Sequence, residues 1–121
     1  MLLLAAKAMT YVSLCVNVAV LLPLCFLMAT DHSAVDSAWG AKTPGRGILL
    51  SVYTCILAAS IYLLFNPTPA LVVGLLTMQV VYKLTTPITV GSIKNPVVIS
   101  NLAISALHLA TIGTIAASAF S

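Results

Sequence analysis

Charge is what this chain has least of. Its 121 residues include two acids and five bases, so 6% are charged, against roughly a quarter in soluble domains. That scarcity excludes most catalytic chemistry. Both acids, Asp31 and Asp36, lie in one polar segment, so no paired-carboxylate site can form inside the apolar stretches. Two acids and two histidines leave few groups for general acid–base work. There is no H-E-x-x-H, no glycine-rich phosphate loop and no Ser-His-Asp set that could meet at one depth. The chain is therefore expected to be no enzyme by itself and to carry no metal site. The net charge is only +3 and the bases are scattered. Nucleic acid, which needs clustered Lys and Arg, is not an expected partner. Cys15, Cys25 and Cys55 form no C-x-x-C pair and lie in apolar runs, where cysteine reads as a small buried hydrophobe.

What the chain does have is apolar surface. Hydrophobic residues make up 61% of it, more than so short a chain can hide from water. Four apolar runs, at about 8–30, 47–65, 69–84 and 96–119, approach or exceed the roughly 20 residues that cross a bilayer core. The expected fold is all-α: one domain over residues 1–121, an integral membrane bundle of four transmembrane helices with short loops. Membrane lipids are its expected surroundings. A cleaved signal peptide fits the first run poorly, since no basic cluster precedes it and no clear A-x-A site follows it. Thr43-Pro44, Thr68-Pro69 and Asn95-Pro96 each place a capping residue before a proline, a helix-start signal. The turn Asn66-Pro67-Thr68-Pro69 is short enough to make the second and third spans antiparallel neighbours. The third run is short for a crossing. Either Lys83 reaches out to the headgroups, or the helix continues to Pro87 with Lys83 held inside.

With four spans, the loops 31–46 and 85–95 share one side and both termini share the other. Lys42, Arg46, Lys83 and Lys94 fall on the loop side, and Lys7 on the terminal side. The positive-inside rule then places both loops in the cytoplasm and both termini opposite. Asp31 and Asp36 join the bases on the loop side. With Trp39, Lys42 and Arg46 they form a candidate docking face for other membrane subunits, the alternative being that charges gather in loops because loops are wet. Trp39 and Tyr11 are natural interface anchors.

Ionisable residues within a membrane span are costly and are functional candidates by default. His108 is mid-span, and Asn101, Ser105, His108 and Thr111 share one helical face. Helix packing by hydrogen bonds explains such a stripe. Ligation of a pigment or haem by His108 and a proton or substrate relay are the functional readings. A bis-histidine haem within this chain is nearly excluded, because the only other histidine, His32, lies in the loop; a single axial ligand stays open. Gln79 and Lys83 share a face of the third span, so Gln79, Lys83, Asn101 and Ser105 form a candidate polar intramembrane cluster. Asp31 or Asp36 is a candidate to offset the charge of Lys83. In the second span Ser51, Cys55, Ala58 and Tyr62 recur at spacings of four, three and four, the pattern of a packing face. Asn17 is expected to bond another helix.

The functional expectation is a small non-catalytic subunit that packs within a larger membrane complex and stabilises it. Such subunits, holding lipid or pigment, are frequent in respiratory and photosynthetic complexes. One alternative is a small oligomeric carrier or channel, with the stripe lining its path. Another comes from resemblance: the size, the four-span layout and Arg46 before the second span look superficially similar to the DoxX-like family, which implies a redox-associated membrane protein.

Overall fold

The computed structural model describes residues 1–120. Among them the structure is helical, with no strand. Four long helices, α1 (Leu2–Ala29), α3 (Pro44–Phe65), α4 (Pro69–Val90) and α5 (Pro96–Ala119), are each apolar and long enough to cross a membrane. At about 1.5 Å per residue the shortest, at 22 residues, exceeds a hydrocarbon core of roughly 30 Å. The chain is a multi-pass integral membrane protein. A 3₁₀ turn (Ser33–Val35) and the single-turn helix α2 (Asp36–Trp39) join α1 to α3.

The starts of three long helices follow from their caps. Thr43 Oγ1 accepts from Arg46 N–H at 3.2 Å and Asn95 Oδ1 accepts from Val97 N–H at 2.8 Å. Pro44, Pro69 and Pro96 occupy first-turn positions, where the missing N–H has no partner to lose. Thr68 holds the N-cap of α4 by its backbone alone.

Helix boundaries differ from the sequence expectation at two places. The first helix begins at Leu2 rather than near residue 8, because nothing in Leu2-Leu3-Leu4-Ala5-Ala6 breaks it. The third span runs on past residue 84 to Val90, through Pro87. Proline deprives the carbonyl four residues back of its helical donor, here that of Lys83. The Thr86 hydroxyl donates to that carbonyl at 2.6 Å, and Thr85 Oγ1 donates to the carbonyl of Tyr82 at 2.7 Å. With the freed carbonyl bonded, the helix continues until Gly91, whose φ of +77° closes it in the left-handed conformation that glycine adopts without strain. The last loop is therefore 91–95 rather than 85–95.

Around the bundle the close contacts run α3–α1–α5–α4. Although a short turn joins them, α3 and α4 touch far less than the other three neighbouring pairs. Large side chains fill that gap: Leu75 and Tyr82 of α4 pack on a cluster that includes Tyr53 and Ile56 of α3 and Leu21, Leu24 and Met28 of α1. A second apolar cluster, Leu14, Leu63, Val72 and Leu76, lies toward the terminal end. Among the described residues eleven buried side chains are polar or charged against fifteen that are apolar or aromatic, while the outside is studded with Leu, Ile, Val and Phe. Lipid takes up the apolar side chains that water would force inward, and the polar ones are left to seek each other.

Candidate functional site

The buried polar side chains form two groups along the bundle axis. The mid-bundle group centres on His108, which is fully buried. Its Nδ1 lies 3.1 Å from Ser13 Oγ and its Nε2 lies 3.1 Å from Asn17 Oδ1. Asn17 Nδ2 donates to Ser60 Oγ at 3.1 Å, and Ser13 Oγ lies 2.6 Å from Thr111 Oγ1. The network ties α5 to α1 and α1 to α3. Its proton positions follow from the fixed members. A carboxamide oxygen only accepts, so Nε2 carries a hydrogen. In a neutral imidazole Nδ1 then accepts from the Ser13 hydroxyl, and Ser13 accepts from Thr111. A cationic ring is accommodated by turning two hydroxyls: Ser13 then donates to Thr111, whose own hydrogen goes to the carbonyl of Leu107 at 3.1 Å or Met9 at 3.2 Å. Both ring nitrogens are thus engaged, and ligation of a pigment or haem iron would displace Ser13 or Asn17.

The second group lies nearer the loop end, between α4 and α5. Lys83 is buried, at 6% exposure. Its Nζ donates to Asn101 Oδ1 at 3.2 Å and stands 5.0 Å from the centre of the Tyr82 ring. Asn101 Nδ2 donates to Thr86 Oγ1 at 3.4 Å. Of the four residues the sequence grouped, Lys83 and Asn101 bond directly. Gln79 Nε2 and Ser105 Oγ are buried without a hydrogen-bond partner, as is Tyr82 OH. Buried polar atoms are rarely left so.

The expected compensation of Lys83 by Asp31 or Asp36 does not form. Both carboxylates are held by Arg46: Nη1 donates to Asp36 Oδ1 at 2.8 Å and Nη2 donates to Asp31 Oδ1. The same Nη1 donates to the Gly40 carbonyl at 2.8 Å. The planar guanidinium presents several donors at fixed angles and suits this three-way clamp better than an ammonium does. Arg46 is thereby buried, at 5% exposure. Trp39 is half-buried, with Nε1 donating to Tyr53 OH at 3.3 Å. Asn95 Nδ2 donates to the Ala38 carbonyl at 3.1 Å, joining the two loops. Of the candidate docking residues, Asp31, Asp36 and Arg46 are committed to holding the loop, whereas Lys42 stays exposed.

Beside Lys83 a half-open cavity of about 450 Å³ lies between α1 and α5, roofed by the 34–39 segment. Lys83, Asn101 and Tyr53 line it together with apolar side chains such as Leu24 and Val97.

The four-three-four stripe of α3 lies outside the bundle core, and the expected burial of all three cysteines is overturned. Ser51, Cys55, Ala58 and Tyr62 face outward, and α3 buries Arg46, Tyr53, Ile56, Leu57, Ser60 and Leu63 instead. Cys15 and Cys55 are exposed on the bundle surface; Cys25 alone of the three is buried. Against lipid, thiols and small side chains sit outside without penalty. Ser13 and Ser60 were missed. Ser13 stands four residues before Asn17, one helical turn away on the same face, which was the available signal; Ser60 had none. Among the described residues no three His, Cys, Asp or Glu side chains converge as a metal site. Compared with known protein families, curated proteins and solved structures, the chain has no match.

Proposed function

We propose that this protein is a small, non-catalytic subunit of a larger membrane assembly, which it stabilises by packing against a neighbouring transmembrane helix. The observation that carries the reading is the outward strip Ser51, Cys55, Ala58 and Tyr62 on α3. Lipid tolerates this strip, but its small and hydroxyl-bearing side chains are of the kind that let a neighbouring membrane helix approach closely and bond. The occupant is an unlike subunit with acid in its loops. Both carboxylates here are taken by Arg46, while Lys42 and Lys94 are exposed at the same end. With Lys83 buried, the bases left to orient the chain are Lys42, Arg46 and Lys94 against Lys7, which keeps the loops on the cytoplasmic side under the positive-inside rule.

Cys55 makes the test direct. With Cys15 and Cys25 replaced by Ser, a benzophenone probe attached to the Cys55 thiol and irradiated in native membranes, where it inserts into neighbouring C–H bonds, yields one discrete adduct with an unlike chain. Ala58→Trp abolishes it, and Leu109→Trp, on an exposed position of α5, leaves it intact. Absence of any adduct, or an adduct indifferent to Ala58→Trp, refutes the reading. An adduct between two copies favours the second reading, a small oligomeric carrier. The buried polar groups spaced along the bundle axis support that alternative.

A further inference from the structure

Lys83 is a buried cation for which no described side chain supplies an anion. The only two acidic side chains are bound to Arg46. An ammonium has three hydrogens to donate, and one bond is made, to the neutral Asn101. Uncompensated charge within a membrane protein is expensive, and a buried charge left without its partner is strongly destabilising. Lys83 and Asn101, each more than nine-tenths buried, line the cavity between α1 and α5. Its volume of about 450 Å³ falls in the range of small-molecule sites. Its walls are mostly apolar and it is half open. The unpartnered Gln79 Nε2 and Ser105 Oγ lie one helical turn deeper than Lys83 and Asn101 and do not line the cavity. Trp39, fixed by Tyr53, stands in the roof.

We propose that this cavity binds a single-chain amphiphile whose anionic head pairs with Lys83 and Asn101 and whose apolar tail lies along α1 and α5. A carboxylate or a phosphate head would complete the same charge. The volume suits one acyl chain rather than two. The inference is independent of the assembly role, since the cavity and the outer strip of α3 use different residues.

The test is equilibrium binding of a radiolabelled long-chain fatty acid to the purified full-length protein in a neutral, non-ionic detergent. A lysophospholipid with a phosphate head and a fatty alcohol of equal chain length serve as competitors. Saturable binding near one per chain is expected, weakened tenfold or more by Lys83→Met and by the cavity-filling Val97→Trp, the latter leaving the charge in place. Circular dichroism and gel filtration of both variants establish that they are folded. Competition by the lysophospholipid at lower concentration than unlabelled fatty acid identifies phosphate as the preferred head; the reverse identifies carboxylate. No saturable binding, equal binding by wild type and folded Lys83→Met, or equal competition by the uncharged alcohol overturns the proposal.

Discussion

Replacing His108 by leucine tests whether the mid-bundle network holds the helices together. The two side chains are close in volume, so little cavity is created and the cost comes from polar groups. Two hydrogen bonds disappear, those of 3.1 Å to Ser13 and to Asn17. Side-chain bonds between membrane helices average about 0.6 kcal/mol each, which gives roughly 1 kcal/mol for the pair. Ser13 keeps Thr111, but the carbonyl of Asn17 is left buried with nothing to accept from. An orphaned buried acceptor costs about 1–3 kcal/mol. The expected destabilisation is therefore about 2–4 kcal/mol, read from reversible unfolding in mixed micelles of mild detergent and dodecyl sulfate. The partner change Asn17→Leu isolates the shared bond. In the double variant neither group is left unpaired at that contact, so the combined loss is expected to fall about 1–2 kcal/mol short of the sum of the single losses. Strict additivity, with His108→Leu alone close to neutral, would refute the bonding scheme. A bound chromophore lost from His108→Leu with little change in stability would instead assign the histidine to a ligand.

Two further outcomes follow from the helix ends and the loop. Thr86→Val removes the hydroxyl that serves the Lys83 carbonyl above Pro87 and also the acceptor of Asn101 Nδ2; a loss of about 1–2 kcal/mol is expected, with faster amide hydrogen exchange confined to the last turn of α4 and unchanged exchange in α1. Gly40, with φ +84° and ψ 170°, occupies backbone space almost reserved for glycine, where another residue costs about 1–3 kcal/mol. Gly40→Ala is expected to loosen the Arg46 clamp and speed protease cleavage between residues 30 and 43 while the four spans stay helical by circular dichroism.

The spans were legible because length and hydropathy suffice for a helix in lipid, and the starts of α3, α4 and α5 because a polar residue followed by proline marks each of them. The end of α4 was not. Pro87 reads as a breaker, and its remedy is a hydroxyl one residue earlier whose bond exists only once the helix has formed. The faces were legible where polarity marked them. Asn101, Ser105, His108 and Thr111 all turn inward, since unpaired polar groups are costly against acyl chains. The strip on α3 has nearly the same spacing and turns outward. Its members are small or only weakly polar, and Ser51 satisfies itself by donating to the carbonyl of Gly47 at 3.3 Å. In water an apolar stripe would have decided the matter; in lipid the apolar residues are indifferent to which side they face.

The choice of partner for the two acids was hidden for a related reason. Spacing alone brings Asp31 and Asp36 toward the end of the bundle where both Lys83 and Arg46 reside. The deciding features are a third acceptor and the shape of the cation. Gly40, able to adopt its unusual backbone conformation, points a carbonyl at the guanidinium, and one planar group then gathers three oxygens from the loop above it. Lys83 sits deeper, beneath a loop whose acids are already held by that clamp. Its charge is thus left for something outside the chain to answer, and the cavity at its side is where an answering group has room to enter.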